Sequence, residues 1–210
     1  MARATQQRST ERELAPVPFV GLTGGLGAGK STALEALGRL GAAVLSSDEV
    51  VHELYDDPEL VAAVVDRWGS QVLADGAVDR VAVAQRVFAS PEERIWLEQL
   101  LWPRVGAHVA AWRERVGAAE PPPAAAVVET PLLFEAGMGD LFDATIAVVA
   151  DEQTRGDRAR ARGHHGVEER DARQLPQEEK ARRATFVVDN SGSVQDLERK
   201  LSEVLATLRR

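Results

Sequence analysis

The chain has 210 residues, 44% of them hydrophobic, enough for one substantial core with a small appended subdomain. Its 33 acidic residues outnumber 25 Lys and Arg for a formal net charge of -8, which argues against a nucleic-acid-binding surface and leaves any anionic ligand to a local cluster of cations. No apolar stretch is long enough to cross a bilayer, and the lack of cysteine excludes disulfides and thiolate metal sites without deciding the compartment; a cytoplasmic protein without a membrane partner, monomeric or weakly homo-oligomeric, is the default expectation.

Residues 1–16 are polar, without the apolar segment of a secretory signal, and read as a flexible tail. "VPFVGLTG", Val17 to Gly24, is an apolar run ending in glycines, the pattern of a buried strand. "STALEALGRLG" follows, with Leu34, Leu37 and Leu40 on one helical face and Gly41 placed to end the helix. Ala42 to Ser46 is a second strand, and the strand–helix–strand unit implies a parallel pair joined by a right-handed crossover.

The next strand candidate begins at Ala124, about 75 residues on, far more than a crossover helix requires. Residues 49–123 therefore read as an inserted helical subdomain, with apolar residues at three- and four-residue spacing (Ile95, Leu97, Leu100, Leu101, Val105, Val109, Trp112) and all four tryptophans, Trp68, Trp96, Trp102 and Trp112, expected to pack between helices. "AAEPPPAAA" is a stiff connector back to the sheet. Ala124 to Thr130, Ala144 to Ala150 and Thr185 to Asn190 complete five apolar strands separated by helical segments. That is an α/β fold of three layers around a five-stranded parallel sheet, with residues 17–48, 124–150 and 184–210 as its core. Residues 151–183 are dense in both signs of charge and read as a solvated helical hairpin, a candidate lid. The last helix, Val194 to Leu208, starts at a capping pair, Ser193 and Asp196.

The chemistry centres on Gly24-Gly25-Leu26-Gly27-Ala28-Gly29-Lys30-Ser31, which satisfies G-x-x-x-x-G-K-[ST] between a predicted strand and a predicted helix. The glycines let backbone N–H groups turn toward a phosphate, the helix start adds its dipole, Lys30 reaches the β- and γ-phosphates, and the Ser31 hydroxyl can bind Mg²⁺. A guanine-reading N-K-x-D is absent, since the only asparagine, Asn190, precedes Ser191. A small-molecule kinase needs only the loop, a carboxylate near the acceptor hydroxyl and arginines that close over the triphosphate. Asp48, just after the second strand, emerges at the same sheet edge as Lys30 and suits the carboxylate, although a helix N-cap would use the same position. A non-catalytic nucleotide-binding regulator is the reading from a different class.

Four stretches in order, "GLTGGLGAGKST", "VLSSDEVVHEL", "ETPLLFEAG" and "ARQLPQEEKARRATFVVDNSGS", resemble dephospho-coenzyme A kinases over nearly everything from Phe19 onward. The resemblance implies ATP-dependent, Mg²⁺-assisted phosphorylation of the ribose 3′-hydroxyl of dephospho-coenzyme A; a nucleoside monophosphate kinase is the alternative. It implies that Gly25, Leu26, Gly27, Ala28, Gly29, Lys30, Ser31 and Thr32 bind ATP, with Arg170 and Asn190 beside the nucleotide. It further implies Asp48 as general base, Lys30, Arg158 and Arg162 as catalytic cations, and Thr23, Asp48, Leu132 and Glu135 at the acceptor; Leu133 and Phe134 read as packing. Arg155, Arg160 and Arg173 are close neighbours of the lid arginines. Two positions depart from the family pattern. Ser46 stands where a first carboxylate of D-x-D is usual, and Trp102-Pro103 where His-Pro is usual.

Overall fold

A computed structural model of the chain describes residues 17–161 and 174–209. Strand β1 (Phe19–Gly24) is buried along its whole length, as an apolar run in a parallel sheet must be. Helix α1 (Lys30–Arg39) follows, and Gly41 at φ 87° supplies the left-handed residue that ends it. Strand β2 (Ala43–Ser46) leads into α2 (Ser47–Leu54) and α3 (Pro58–Trp68). A short hairpin of β3 (Leu73–Ala74) and β4 (Ala77–Val78) precedes α4 (Arg80–Ala89) and the long α5 (Pro91–Gly117). The sheet resumes with β5 (Ala126–Glu129) and β6 (Ala144–Val149), then α6 (Glu152–Ala161), α7 (Gln177–Arg183), β7 (Phe186–Asp189) and α8 (Val194–Leu208).

The five-stranded sheet has order β2-β5-β1-β6-β7 and every pairing in it is parallel. All five carboxyl ends therefore share one edge, where the fold class expected from the apolar runs puts its ligands. On one face Ala33, Ala36 and Leu37 of α1 and Leu197, Leu201 and Leu205 of α8 bury themselves against Val20, Leu22, Val127, Ile146 and Val148. Ser193 caps α8 by accepting from the Asp196 N–H at 3.2 Å. On the other face the distal half of α5 lays Val109, Trp112 and Val116 over Phe19, Ala126 and Val128. Arg113 reinforces that contact, its guanidinium 4.2 Å from the Phe19 ring centre and 4.0 Å from Asp143, whose carboxylate also accepts from the Phe19 N–H at 2.7 Å.

The insert has its own core of Leu60, Val64, Trp68, Val72, Val83, Leu97 and Leu101. Glu93 joins its walls, accepting two hydrogen bonds from Arg67 at 3.0 Å and one from Trp68 Nε1 at 2.7 Å. Two expectations fail here. The insert is not wholly helical, because Asp75 (φ 52°) and Gly76 (φ 83°) make the two-residue turn that closes the β3–β4 hairpin. Nor do all the tryptophans pack inside: Trp68 and Trp96 meet edge to face at 5.0 Å, whereas Trp102 is 58% exposed. It shares a seven-residue spacing with Ile95, also exposed, on the opposite side of α5 from Leu97 and Leu101.

Gly21 in the middle of β1 admits the turn after β5, since a Cβ there would lie 2.5 Å from the buried Leu133 Cδ1 and 2.9 Å from the Phe142 ring. Gly21→Ala is expected to lower stability by about 1–3 kcal/mol. Urea unfolding should show this as a reduced midpoint at unchanged m-value.

Candidate active site

The loop from Gly24 to Lys30 wraps the start of α1 with Gly27 at φ 73° and Gly29 at φ 93°, values at which a side chain is strained. Neighbours close in as well. A Cβ on Gly27 would strike the Arg155 carbonyl, and one on Gly29 would overlap the Asn190 amide nitrogen. The loop's carbonyls are held from outside: Arg155 Nε donates to Leu26 at 3.0 Å and Asn190 Nδ2 to Ala28 at 2.9 Å. A peptide plane carries its N–H opposite its carbonyl, so these two bonds turn the Gly27 and Gly29 amides to the other side. Lys30 Nζ donates to the Gly24 and Gly25 carbonyls at 3.0 and 3.2 Å. Ser31 is exposed in the first turn of α1, with Thr32 half-buried behind it.

Asn190, the sequence's candidate at the nucleotide, is 4% exposed and its amide nitrogen braces the loop itself. Arg158 lies across Gly29 with Nη1 about 3.5 Å from where a Cβ would sit, and that nitrogen is buried without a hydrogen-bond partner among the described residues. A donor in that condition is costly until an anion accepts from it. Arg155, weighed in the sequence only as a neighbour of the lid arginines, instead sits directly on the loop, its guanidinium against Gly25. Arg162 and Arg170 lie outside the described residues, as does Arg173.

Asp48 is exposed in the first turn of α2, and the N-cap position belongs to Ser46, whose side chain makes no capping bond. The capping role weighed for Asp48 is thus not the one the structure gives it. Between β1 and β2 lies a carboxylate that the sequence reading passed over. Glu129 ends β5 in register with Leu22 on one side and Ser46 on the other, is 6% exposed, and accepts from the Ser46 hydroxyl at 3.3 Å. Burial pushes its carboxyl above the ordinary range; Lys30 and the Ser46 hydroxyl oppose that shift, while Asp48 and Glu49 add to it. Its sequence signal was a charge at the end of an otherwise apolar strand.

The turn after β5 carries the remaining candidates. Thr23 is fully buried and donates to the Pro131 carbonyl at 3.2 Å, Leu132 is half-buried, and Leu133 is 0% exposed. Glu135 pairs with Lys180 at 3.0 Å and accepts from the Leu175 N–H at 2.7 Å. Loop, Asp48, Glu129 and this turn converge at one sheet edge.

The family model for dephospho-CoA kinase matches residues 18–196. The chain belongs to the dephospho-CoA kinase family. It is an ATP-dependent phosphotransferase of that family, with the fold of a P-loop kinase. The dephospho-CoA kinase of Anaeromyxobacter dehalogenans is 39% identical over 195 residues, covering 90% of this chain and 92% of that protein. That of Deinococcus radiodurans is 38% identical over 197 residues, with 90% and 91% covered. Among solved structures, a Thermus thermophilus protein superposes with TM-score 0.76 at 35% identity over 92% of this chain and 98% of its own. No described helix is long and apolar enough to cross a membrane.

Glu129 yields a pH-dependent prediction. A carboxyl whose folded pKa is raised binds its proton more tightly in the native state, so its contribution falls as pH rises from the ordinary carboxylate range through the raised value. Glu129→Gln removes that penalty and keeps an acceptor for Ser46. Its melting temperature is expected to exceed the parent's near pH 8, with the gap closing toward pH 4. Thermal scans across pH check this, and the same variant should lose turnover.

Proposed function

We propose that the chain transfers the γ-phosphoryl group of ATP to the ribose 3′-hydroxyl of dephospho-coenzyme A. The 3′-oxygen forms a bond to the γ-phosphorus as the bond from that phosphorus to the β-bridging oxygen breaks; ADP leaves, and Asp48 takes the hydroxyl proton. The observation that carries this reading is the convergence of the braced loop and the exposed Asp48 carboxylate at one sheet edge, in a chain of this family. Asp48 has no main-chain duty as a cap, which leaves its carboxylate for the acceptor.

Lys30 exchanges its two carbonyl partners for phosphate oxygens, and Arg158, with its unsatisfied buried Nη1, neutralises charge on the transferring group. Arg155 fixes the loop from the lid side, and Arg162 and Arg170, outside the described residues, would act as further cations in the transfer. No group of three or more His, Asp or Glu among the described residues could hold a metal unaided, which suits Mg²⁺, an ion bound through few protein oxygens and the substrate's phosphates. The Ser31 hydroxyl and the Glu129 carboxylate are hard oxygen donors of that type and would hold it. Mg²⁺ supplies positive charge against the phosphate oxygens when bound with ATP. Residues 49–123 form the acceptor-binding insert and 151–183 the lid that excludes water.

Incubation with ATP and dephospho-coenzyme A should yield coenzyme A phosphorylated at the 3′ position with stoichiometric ADP, read by ³¹P NMR and chromatography. Preferential turnover of a nucleoside monophosphate, or phosphate at another position, contradicts the proposal. Asp48→Asn is expected to reduce turnover by roughly two to four orders of magnitude at nearly parental ATP affinity; parental turnover would remove Asp48 from the chemistry. Arg158→Ala should depress kcat at least about tenfold while changing ATP binding less, a split that pre-steady-state kinetics resolves.

A further inference from the structure

The reaction as proposed makes no use of the most deeply buried charge at this edge. Helix α7, Gln177–Arg183, reads QEEKARR, a run that looks solvated throughout, yet Lys180 is 0% exposed. An ammonium withdrawn from water is tolerated only with close compensating partners. Lys180 Nζ donates to the Pro131 carbonyl at 2.6 Å and pairs with Glu135 Oε1 at 3.0 Å. One side chain thereby fixes both ends of the turn from Pro131 to Glu135. The same Oε1 accepts from the Leu175 N–H at 2.7 Å, and Thr23 reaches the same Pro131 carbonyl from β1. The start of α7 is tied to the end of β6 as well, because Gln177 accepts from the Ala150 N–H at 2.8 Å and donates to the Ala150 carbonyl at 3.0 Å. Glu135 keeps one capacity unspent: Oε2 is buried and has no hydrogen-bond partner among the described residues.

We propose that Lys180 is a positioning residue: its ammonium locks Glu135 Oε1 and the Pro131 carbonyl, so that Glu135 Oε2 is held to accept from a hydroxyl or amino donor of the acceptor substrate, and the lid's returning arm is fastened to that same acceptor turn. A buried apolar pair would hold the two segments together at no greater cost, so stability alone does not call for the charge. The charge fixes where each oxygen of Glu135 points. This inference rests on the kinase reading above, with the acceptor beside the turn.

Three variants form a thermodynamic cycle: Lys180→Met, Glu135→Gln and the double. Lys180→Met is expected to raise the KM for dephospho-coenzyme A roughly tenfold at an ATP KM within about twofold of parental, and the double should be no worse than the poorer single. A lowered melting temperature with parental KM values, or single effects that simply add, would reduce Lys180 to a structural role and overturn the proposal. The chain contains no cysteine, so Lys180→Cys can be alkylated at one place while unfolded and then refolded. Bromoethylamine, which restores an ammonium near the lysine position, should recover the acceptor KM, whereas bromoethanol, which adds a neutral arm of similar size, should not. Equal recovery by both overturns the proposal. This arm also serves if Lys180→Met does not fold. Hydrogen exchange gives a readout independent of turnover: the Leu175 amide should exchange at least about tenfold faster in Lys180→Met, with Val127 in β5 unchanged. If the parent fails to phosphorylate dephospho-coenzyme A, the kinase reading falls, and unchanged Leu175 exchange would separately refute the clamp.

Discussion

The arrangement depends on how the peptide planes between Gly25 and Gly29 are oriented. Left to itself, a glycine-rich loop samples many conformations, and ordering it costs more than ordering any other sequence. Here the orientation is imposed from outside. Arg155 from α6 takes the Leu26 carbonyl and Asn190 after β7 takes the Ala28 carbonyl, so segments that follow β6 and β7 help decide which way the loop's amides face. The glycines at 27 and 29 are needed for the same reason as the braces, since side chains there would occupy the space the Arg155 backbone and the Asn190 amide fill. Fold and site are thus one construction: the parallel sheet brings these groups to a common edge, and their contacts set the phosphate-binding surface.

Charge at that edge is finely opposed. The chain carries a net charge of -8 yet must accept a polyanion, and it does so with cations concentrated around the loop: Lys30, Arg155 and Arg158. Against them stands Glu129, a carboxylate driven toward its neutral form by burial and drawn back toward ionisation by Lys30. Its hydrogen bond with Ser46 links two strand ends at positions that differ from simple apolar pairing. This is strain of an electrostatic kind, and it is located where a cationic ligand would relieve it.

Much of the fold could be read from the sequence because the signals were local. The apolar runs at Phe19, Ala126 and Ala144 became buried strands, and the helix from Val194 to Leu208 has the bounds its apolar stripe and Ser193 predicted. The phosphate loop was legible because its chemistry lies in one contiguous stretch. What escaped was set by contacts distant in sequence. Glu129 looked like the end of a strand until the register put Ser46 beside it, and Lys180 looked like one more solvated charge in a run whose Glu178, Arg182 and Arg183 are indeed exposed. Helical spacing placed Trp102 with the packing residues, but the α5 face it occupies is turned to solvent. The Asp75-Gly76 turn was a hairpin signal inside a segment whose helical periodicity dominated the reading.

The most direct test of the account is a crystal structure with a non-hydrolysable ATP analogue and Mg²⁺. The account predicts the triphosphate within the loop, the Gly27 and Gly29 amides at hydrogen-bond distance from its oxygens, and Lys30 transferred from the Gly24 and Gly25 carbonyls to phosphate, with the Arg155 and Asn190 braces intact. A triphosphate bound elsewhere, or Lys30 still on those carbonyls beside a bound nucleotide, would contradict it.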